Sequence, residues 1–133
     1  MAESDKDGHL RILVVEDSIL TAEQITEVLR QVTVPVEIKI VHTQNDALKD
    51  GKAFSPDVIV LDLLLRQGTG FTVLKEFSAA KPKPAILVFT NYALPNYRNF
   101  ALLTGANYFL DKAKDSDQLP GIIDSIAQSR NLQ

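Results

Sequence analysis

Apolar runs and amphipathic stretches alternate five times along the chain, the pattern expected of strands joined by crossover helices in a parallel sheet. Leu10 to Val15 is apolar apart from Arg11, as a strand covered by helices on both faces requires. Glu16 and Asp17 end it. Asp17 or Ser18 can cap a following helix whose Ala22, Ile25, Val28, Leu29 and Val32 share one face. In the second strand Val36, Ile38 and Ile40 alternate with Glu37 and Lys39, so one face alone is buried and the strand belongs at a sheet edge. Thr43 and Asp46 have the spacing of a capping box, which opens a short helix through Ala47 and Leu48 that stops before Gly51. Val58 to Leu61 is the third strand, with Asp62 at its end, followed by Leu63 to Leu65 and a loop containing Gly68 and Gly70. A helix carrying Phe71, Leu74 and Phe77 is closed by Lys81-Pro82-Lys83-Pro84, because proline cannot continue the hydrogen-bond ladder and restricts the residue before it. Ala85 to Phe89 is the fourth strand, ended by Thr90 and Asn91. A helix then runs from about Pro95 to a C-cap at Gly105, and Tyr108 to Leu110 make the fifth strand, with Lys112 just beyond. The last helix places Leu119, Ile122, Ile123 and Ile126 on one face and accommodates Pro120 if it starts near Asp115 to Asp117.

Composition narrows the class. A chain of 133 residues, 45% hydrophobic and 23% charged, is long enough for one globular domain with a real core. The reading is a single domain over residues 9–130 with flexible polar ends at 1–8 and 131–133. No apolar run reaches the roughly 18 residues of a membrane span, and the start of the chain lacks the basic, apolar character of a secretion signal. With no cysteine, thiolate chemistry and disulfides are excluded, and a cytoplasmic location is expected. A net charge of −3 with scattered lysines and arginines argues against direct nucleic-acid binding. Lys81 and Lys83 read as a solvated turn.

In open parallel sheets the site lies beyond the carboxyl ends of the strands, where strand order reverses. The polar residues just past strands one, three, four and five are Glu16 with Asp17, Asp62, Thr90 and Lys112. Strand two supplies none, which agrees with its edge pattern and an order of 2-1-3-4-5. Asp62 interrupts an apolar run, and desolvating an unpaired carboxylate is too costly for structure alone to favour it there. A carboxylate can attack phosphorus to make an acyl phosphate, provided a cation neutralises the approach of a second anion. Mg²⁺ suits Glu16, Asp17 and Asp62 as oxygen ligands. Thr90 can donate to a phosphoryl oxygen, and Lys112 can place a compact positive charge on another.

With these residues in view, the chain resembles the receiver domain of two-component response regulators, of the chemotaxis-type single-domain kind, over nearly its whole length. The motifs are Val14-Val15-Glu16-Asp17, Asp62 with Gly70 eight residues on, Phe89-Thr90, and Gly105-Ala106 leading to Lys112. The resemblance implies a flavodoxin-like, doubly wound five-stranded parallel sheet with five helices. It further implies Asp62 as phosphoacceptor, Glu16 and Asp17 holding Mg²⁺ with the main-chain carbonyl of Leu64, and Phe109 changing rotamer as Thr90 moves toward phosphate. Such a domain catalyses its own phosphotransfer and slow autodephosphorylation but is a signalling protein of a phosphorelay. Its partners would be a sensor histidine kinase or phosphotransfer protein, docking near Ile19, Leu20 and the Ala113 loop, and a downstream protein target. A homodimer could form through the 4-5-5 face, the fourth helix, fifth strand and fifth helix, where Tyr97, Tyr108 and Phe109 could repack.

Three positions depart from the family pattern. Arg66 stands where proline is frequent four residues after the phosphoacceptor, Ala113 where proline often follows the lysine, and Asn91 where the family usually has a very small residue. Leu64 and Tyr92 occupy positions that tune access of hydrolytic water, and their apolar character is expected to slow self-dephosphorylation. The enzyme alternative is a small Mg²⁺-dependent phosphohydrolase of haloacid dehalogenase-like type, but that family generally has a second Asp two residues after the nucleophile, where this chain has Leu64. A nucleotide- or flavin-binding module would need a glycine-rich phosphate loop after strand one. A degenerate, scaffold-only receiver would not need the intact set Asp62, Thr90 and Lys112.

Overall fold

The computed structural model describes residues 8–131. The expected flexible ends lie, at 1–7 and 132–133, outside the described residues. Five strands, β1 (Leu10–Val15), β2 (Val36–Val41), β3 (Val58–Leu61), β4 (Ala85–Thr90) and β5 (Tyr108–Asp111), form one parallel sheet in the order β2-β1-β3-β4-β5. The helices are α1 (Ile19–Leu29), α2 (residues 44–54), α3 (Gly70–Ser78), α4 (Pro95–Thr104) and α5 (Leu119–Asn131), the last preceded by a 3₁₀ turn at Ser116–Gln118. This is the flavodoxin-like, doubly wound arrangement with strand order 2-1-3-4-5 expected from the sequence.

Two cores explain why the interior strands are apolar throughout. Ile12, Val14, Val58, Val60, Leu87 and Phe89 face one side and pack with Ile25 and Leu29 of α1 and Leu119 and Ile123 of α5. Leu13, Val15, Ile59, Leu61, Ile86 and Val88 face the other, against Ala47, Phe54, Leu74, Phe77 and Ala101 of α2, α3 and α4. Alternate side chains thus enter opposite layers, and a strand buried on both faces needs apolar residues at every position. β2 lies at the edge with only its last residue, Val41, buried, as its alternating pattern requires.

Two readings need correction. The second helix does not stop before Gly51: its α-helical start at Gln44–Asp46 passes through a π turn at Ala47–Gly51 into Lys52–Phe54, and it ends at Ser55, whose φ is 53°. Gly51 is helical and buried, and a Cβ there would lie 2.8 Å from Leu13 Cδ2. The glycine marks close approach of helix to sheet rather than a stop. Lys83 is not simply solvated either. Its Nζ donates to Asn107 Oδ1 at 3.0 Å, and the same oxygen accepts the Ile86 N–H at 2.9 Å, tying the turn before β4 to the start of β5.

Candidate functional site

Parallel strands bring their carboxyl ends to one rim, and the residues that follow β1, β3 and β5 meet there. The helix cap left open between Asp17 and Ser18 is Ser18, whose hydroxyl accepts the Thr21 N–H at 3.1 Å. Asp17 is therefore spared for the rim. Glu16, 2% exposed, accepts the Ser18 N–H at 3.1 Å on Oε2 and the Lys112 ammonium at 2.5 Å on Oε1. Asp62, 8% exposed, accepts the Leu64 N–H at 3.2 Å on Oδ1 and Lys112 at 2.9 Å on Oδ2. Lys112 thus bridges two carboxylates from different strands, instead of extending into solvent. Asp17 accepts the Arg66 N–H at 2.8 Å on Oδ2.

One oxygen from each of Glu16, Asp17 and Asp62 can be chosen so that all lie within 4.8 Å of one another. Three carboxylates against one buried ammonium leave excess negative charge, and an all-oxygen donor set of this kind fits a hard divalent cation such as Mg²⁺. Burial pushes the Glu16 carboxyl above its ordinary range, with Lys112 opposing that rise. For Lys112 burial acts to lower the pKa, but the Glu16 and Asp62 carboxylates outweigh it and hold the ammonium above its usual value.

Thr90 closes β4 fully buried, its hydroxyl accepting the Tyr92 N–H at 3.2 Å, while its carbonyl accepts the Lys112 N–H at 3.0 Å. The threonine hydroxyl keeps its own proton for donation, and its backbone is locked to that of the lysine. Phe109 is buried in β5 opposite Val88 and belongs to the core that contains Ala101 and Ala106. Leu64, partly exposed, pairs with Thr69 in an isolated bridge that shapes the loop after β3, and Tyr92 is exposed. Ile19 and Leu20 project into solvent at the start of α1. Beside them a groove of about 380 Å³ runs between α1 and the loop after β5, lined by Thr21, Gln24, Asn91, Lys112, Ala113 and Leu119.

Several contributors were not anticipated from sequence. Gln44 accepts the Thr69 N–H at 2.8 Å through Oε1 and donates its own N–H to the Gln67 carbonyl at 3.2 Å, so α2 anchors the loop after β3. Nothing in the linear pattern marks it. His42 meets the Glu16 carbonyl through Nδ1 at 2.7 Å. At residues 66 and 113, the two places where the resemblance would put proline, the structure uses the peptide N–H. Arg66 donates to Asp17, and Ala113 donates to Asp111 Oδ1 at 2.7 Å. Proline has no N–H to give, so the departures themselves carried that signal.

Comparison with known proteins bears on the family and the fold. Residues 12–124 match the family model described as the response regulator receiver domain. The signal receiver domain of a LuxO repressor protein from Vibrio parahaemolyticus superposes with a TM-score of 0.83 at 25% identity, covering 93% of this chain and 94% of that one. A phosphorylated cyanobacterial phytochrome response regulator, RcpA, gives 0.73 at 26% identity, covering 89% and 91%. Among curated relatives, protein-glutamate methylesterase/protein-glutamine glutaminase 3 of Rhodospirillum rubrum is 35% identical over 59% of this chain and 21% of its own length. The corresponding Vibrio parahaemolyticus protein is 29% identical over 92% of this chain and 31% of its own. The chain therefore spans between about a fifth and a third of the length of these two relatives.

Proposed function

The chain belongs to the response regulator receiver domain family, and on that premise we propose that residues 9–130 form a phosphoacceptor that takes its phosphoryl group on Asp62. The observation that carries this reading is the Lys112 ammonium held between Glu16 and Asp62, inside a cluster completed by Asp17. An aspartate so placed is oriented by two fixed donors and is not quenched by exclusive pairing with one cation.

In the proposed step an Asp62 carboxylate oxygen forms a bond to phosphorus as the donor's bond to that phosphorus breaks. The electron pair leaves with the donor group, an imidazole in the case of a histidine kinase or phosphotransfer protein. Glu16, Asp17, Asp62 and the Leu64 carbonyl would hold Mg²⁺, which supplies charge neutralisation on the transferring oxygens. Lys112, already against Asp62, turns to a phosphoryl oxygen, and Thr90 donates its hydroxyl proton to another. Catalysis by the protein is then positioning and electrostatics.

Phosphorylation adds about 1.5–2 negative charges and favours whichever arrangement best presents Thr90 and Lys112 to them. Thr90 moves with the Tyr92 turn to which it is bonded, and Phe109 repacks beside it. The consequence is a changed 4-5-5 face, α4, β5 and α5, which binds a downstream protein or a second copy. Ile19, Leu20 and the Ala113 loop are the docking contacts for the phosphodonor protein. The phosphorylated state named for the cyanobacterial relative supports the same chemistry here. Signalling of this kind is cytoplasmic, and among the described residues no helix is long and apolar enough to cross a membrane.

The test is incubation with Mg²⁺ and a small acyl phosphate, followed by intact mass measurement. Wild type should gain one phosphoryl group and Asp62→Asn none. No adduct from either a small-molecule or a kinase donor would overturn the assignment. Rapid turnover of unrelated phosphate esters would instead favour a phosphohydrolase.

A further inference from the structure

We infer that Arg66 is a built-in antagonist of divalent-cation binding, its guanidinium holding the place beside Asp17 that the metal must take. The inference rests on the phosphoacceptor reading for the cation's identity and adds the element that sets its affinity. Lys112 satisfies Glu16 and Asp62. Asp17 is paired instead with Arg66, whose Nε lies 3.7 Å from Oδ2, the oxygen that also accepts the Arg66 N–H at 2.8 Å. Two contacts from one residue converge on one carboxylate oxygen, and they act in opposite directions on metal binding. The N–H fixes the carboxylate's orientation while the guanidinium competes for its charge.

The two ends of this pair differ in exposure. The Asp17 side chain is 18% exposed and that of Arg66 is 82% exposed. An arriving cation can therefore displace the guanidinium into solvent without disturbing the backbone contact. An exposed pair at this distance is weak and screened by salt, so the site stays usable while its affinity depends on ionic strength. A divalent ion near Asp17 would also be repelled by the guanidinium charge as long as that side chain remained close. Arginine cannot lose its proton at any ordinary pH, so the opposition is relieved by salt or by movement of the side chain and not by a change of pH.

The experiment is a MgCl₂ titration of the full chain followed by amide NMR at low ionic strength. Arg66→Ala keeps the N–H and removes the guanidinium, and should bind Mg²⁺ about two- to fivefold more tightly than wild type. Arg66→Lys, which keeps the charge, should return most of the way to wild type. The gap between Arg66→Ala and wild type should close at roughly 0.5 M salt, where the screening length falls to a few ångströms. Arg30→Ala changes net charge equally at the far end of α1, where Arg30 pairs with Glu27, and should leave affinity unchanged. Equal or weaker binding by Arg66→Ala, or the same gain from Arg30→Ala, overturns the inference while the phosphoacceptor reading stands. A wild type that takes a phosphoryl group on Asp62 yet binds no Mg²⁺ overturns it as well. A wild type that does neither overturns both.

Discussion

Gly70 and Gly121 should respond to the same substitution with opposite signs. A Cβ built on Gly70 would lie 2.1 Å from the Asp62 carbonyl oxygen and 2.6 Å from Leu63 Cα, both backbone atoms that no rotamer change can move. Ordinary contact between such atoms is about 3.5 Å, so Gly70→Ala must shift the chain at Asp62 by more than about 1 Å or move the start of α3 by as much. Overpacking of this kind costs about 1–3 kcal/mol, and for a domain of this size each kcal/mol lowers the melting temperature by about 3–5 °C. The expected loss is thus ~3–15 °C. Displacing a reacting group by about 1 Å can cost about 10²-fold in rate, so phosphorylation by an acyl phosphate should slow on that scale. Gly121 sits exposed in α5 with nothing within 4 Å of the added methyl. Gly121→Ala should gain about 0.5–1 kcal/mol from helix propensity and leave phosphorylation unchanged. Thermal denaturation by circular dichroism and mass-detected phosphorylation read both effects. A Gly70→Ala protein with wild-type stability and rate would refute the claim that this glycine exists to let α3 approach the Asp62 backbone.

Other outcomes follow from the same geometry. Because the carboxylates hold the folded-state pKa of Lys112 above its unfolded value, its stabilisation is complete below the ordinary lysine range and is lost as pH rises through the higher folded value. Melting temperatures measured across alkaline pH should fall in wild type and fall less in Lys112→Met. The paired substitution Leu64→Asn with Tyr92→Glu should hydrolyse the Asp62 phosphoryl group several-fold faster, by mass-detected decay of the purified adduct; unchanged decay would remove the water-shielding role. Thr43→Ala deletes the hydroxyl that accepts the Asp46 N–H at 3.1 Å, with a loss of about 1 kcal/mol in denaturant unfolding. Ile19→Asp should slow transfer from a protein donor but not from acyl phosphate, and equal rates from the protein donor would end the docking assignment.

The sheet was legible because burial on two faces leaves no freedom: Val58 to Leu61 and Leu10 to Val15 had to be almost wholly apolar, and the alternation in β2 had to mean an edge. The residues expected at the rim were legible for a related reason, since a carboxylate such as Asp62 at the end of an apolar run needs a partner to offset its desolvation. The structure supplies that partner in Lys112, fifty residues away in sequence. The role of Gly51 was not legible, because a helical glycine admitted for close packing on Leu13 looks in one dimension like a helix stop. Gln44 was hidden for a different reason. Its work is to satisfy two peptide groups of a distant loop, and a long-range side-chain to backbone contact has no period and no fixed spacing. Lys83 likewise looked solvated because its acceptor, Asn107, lies on another strand connection.

The two loops that carry proline in much of the family are held here by a different kind of force. Proline orders a loop by narrowing what the unfolded chain can do, and that contribution is indifferent to salt and acid. Hydrogen bonds from Arg66 and Ala113 to the Asp17 and Asp111 carboxylates order theirs through charge. Loop order at both ends of the site is therefore tied to two particular side chains rather than to the stiffness of the loop itself. Asp111→Ala, which removes the acceptor of the Ala113 N–H, should loosen the loop after β5 while the apolar layers on either side of the sheet stay packed.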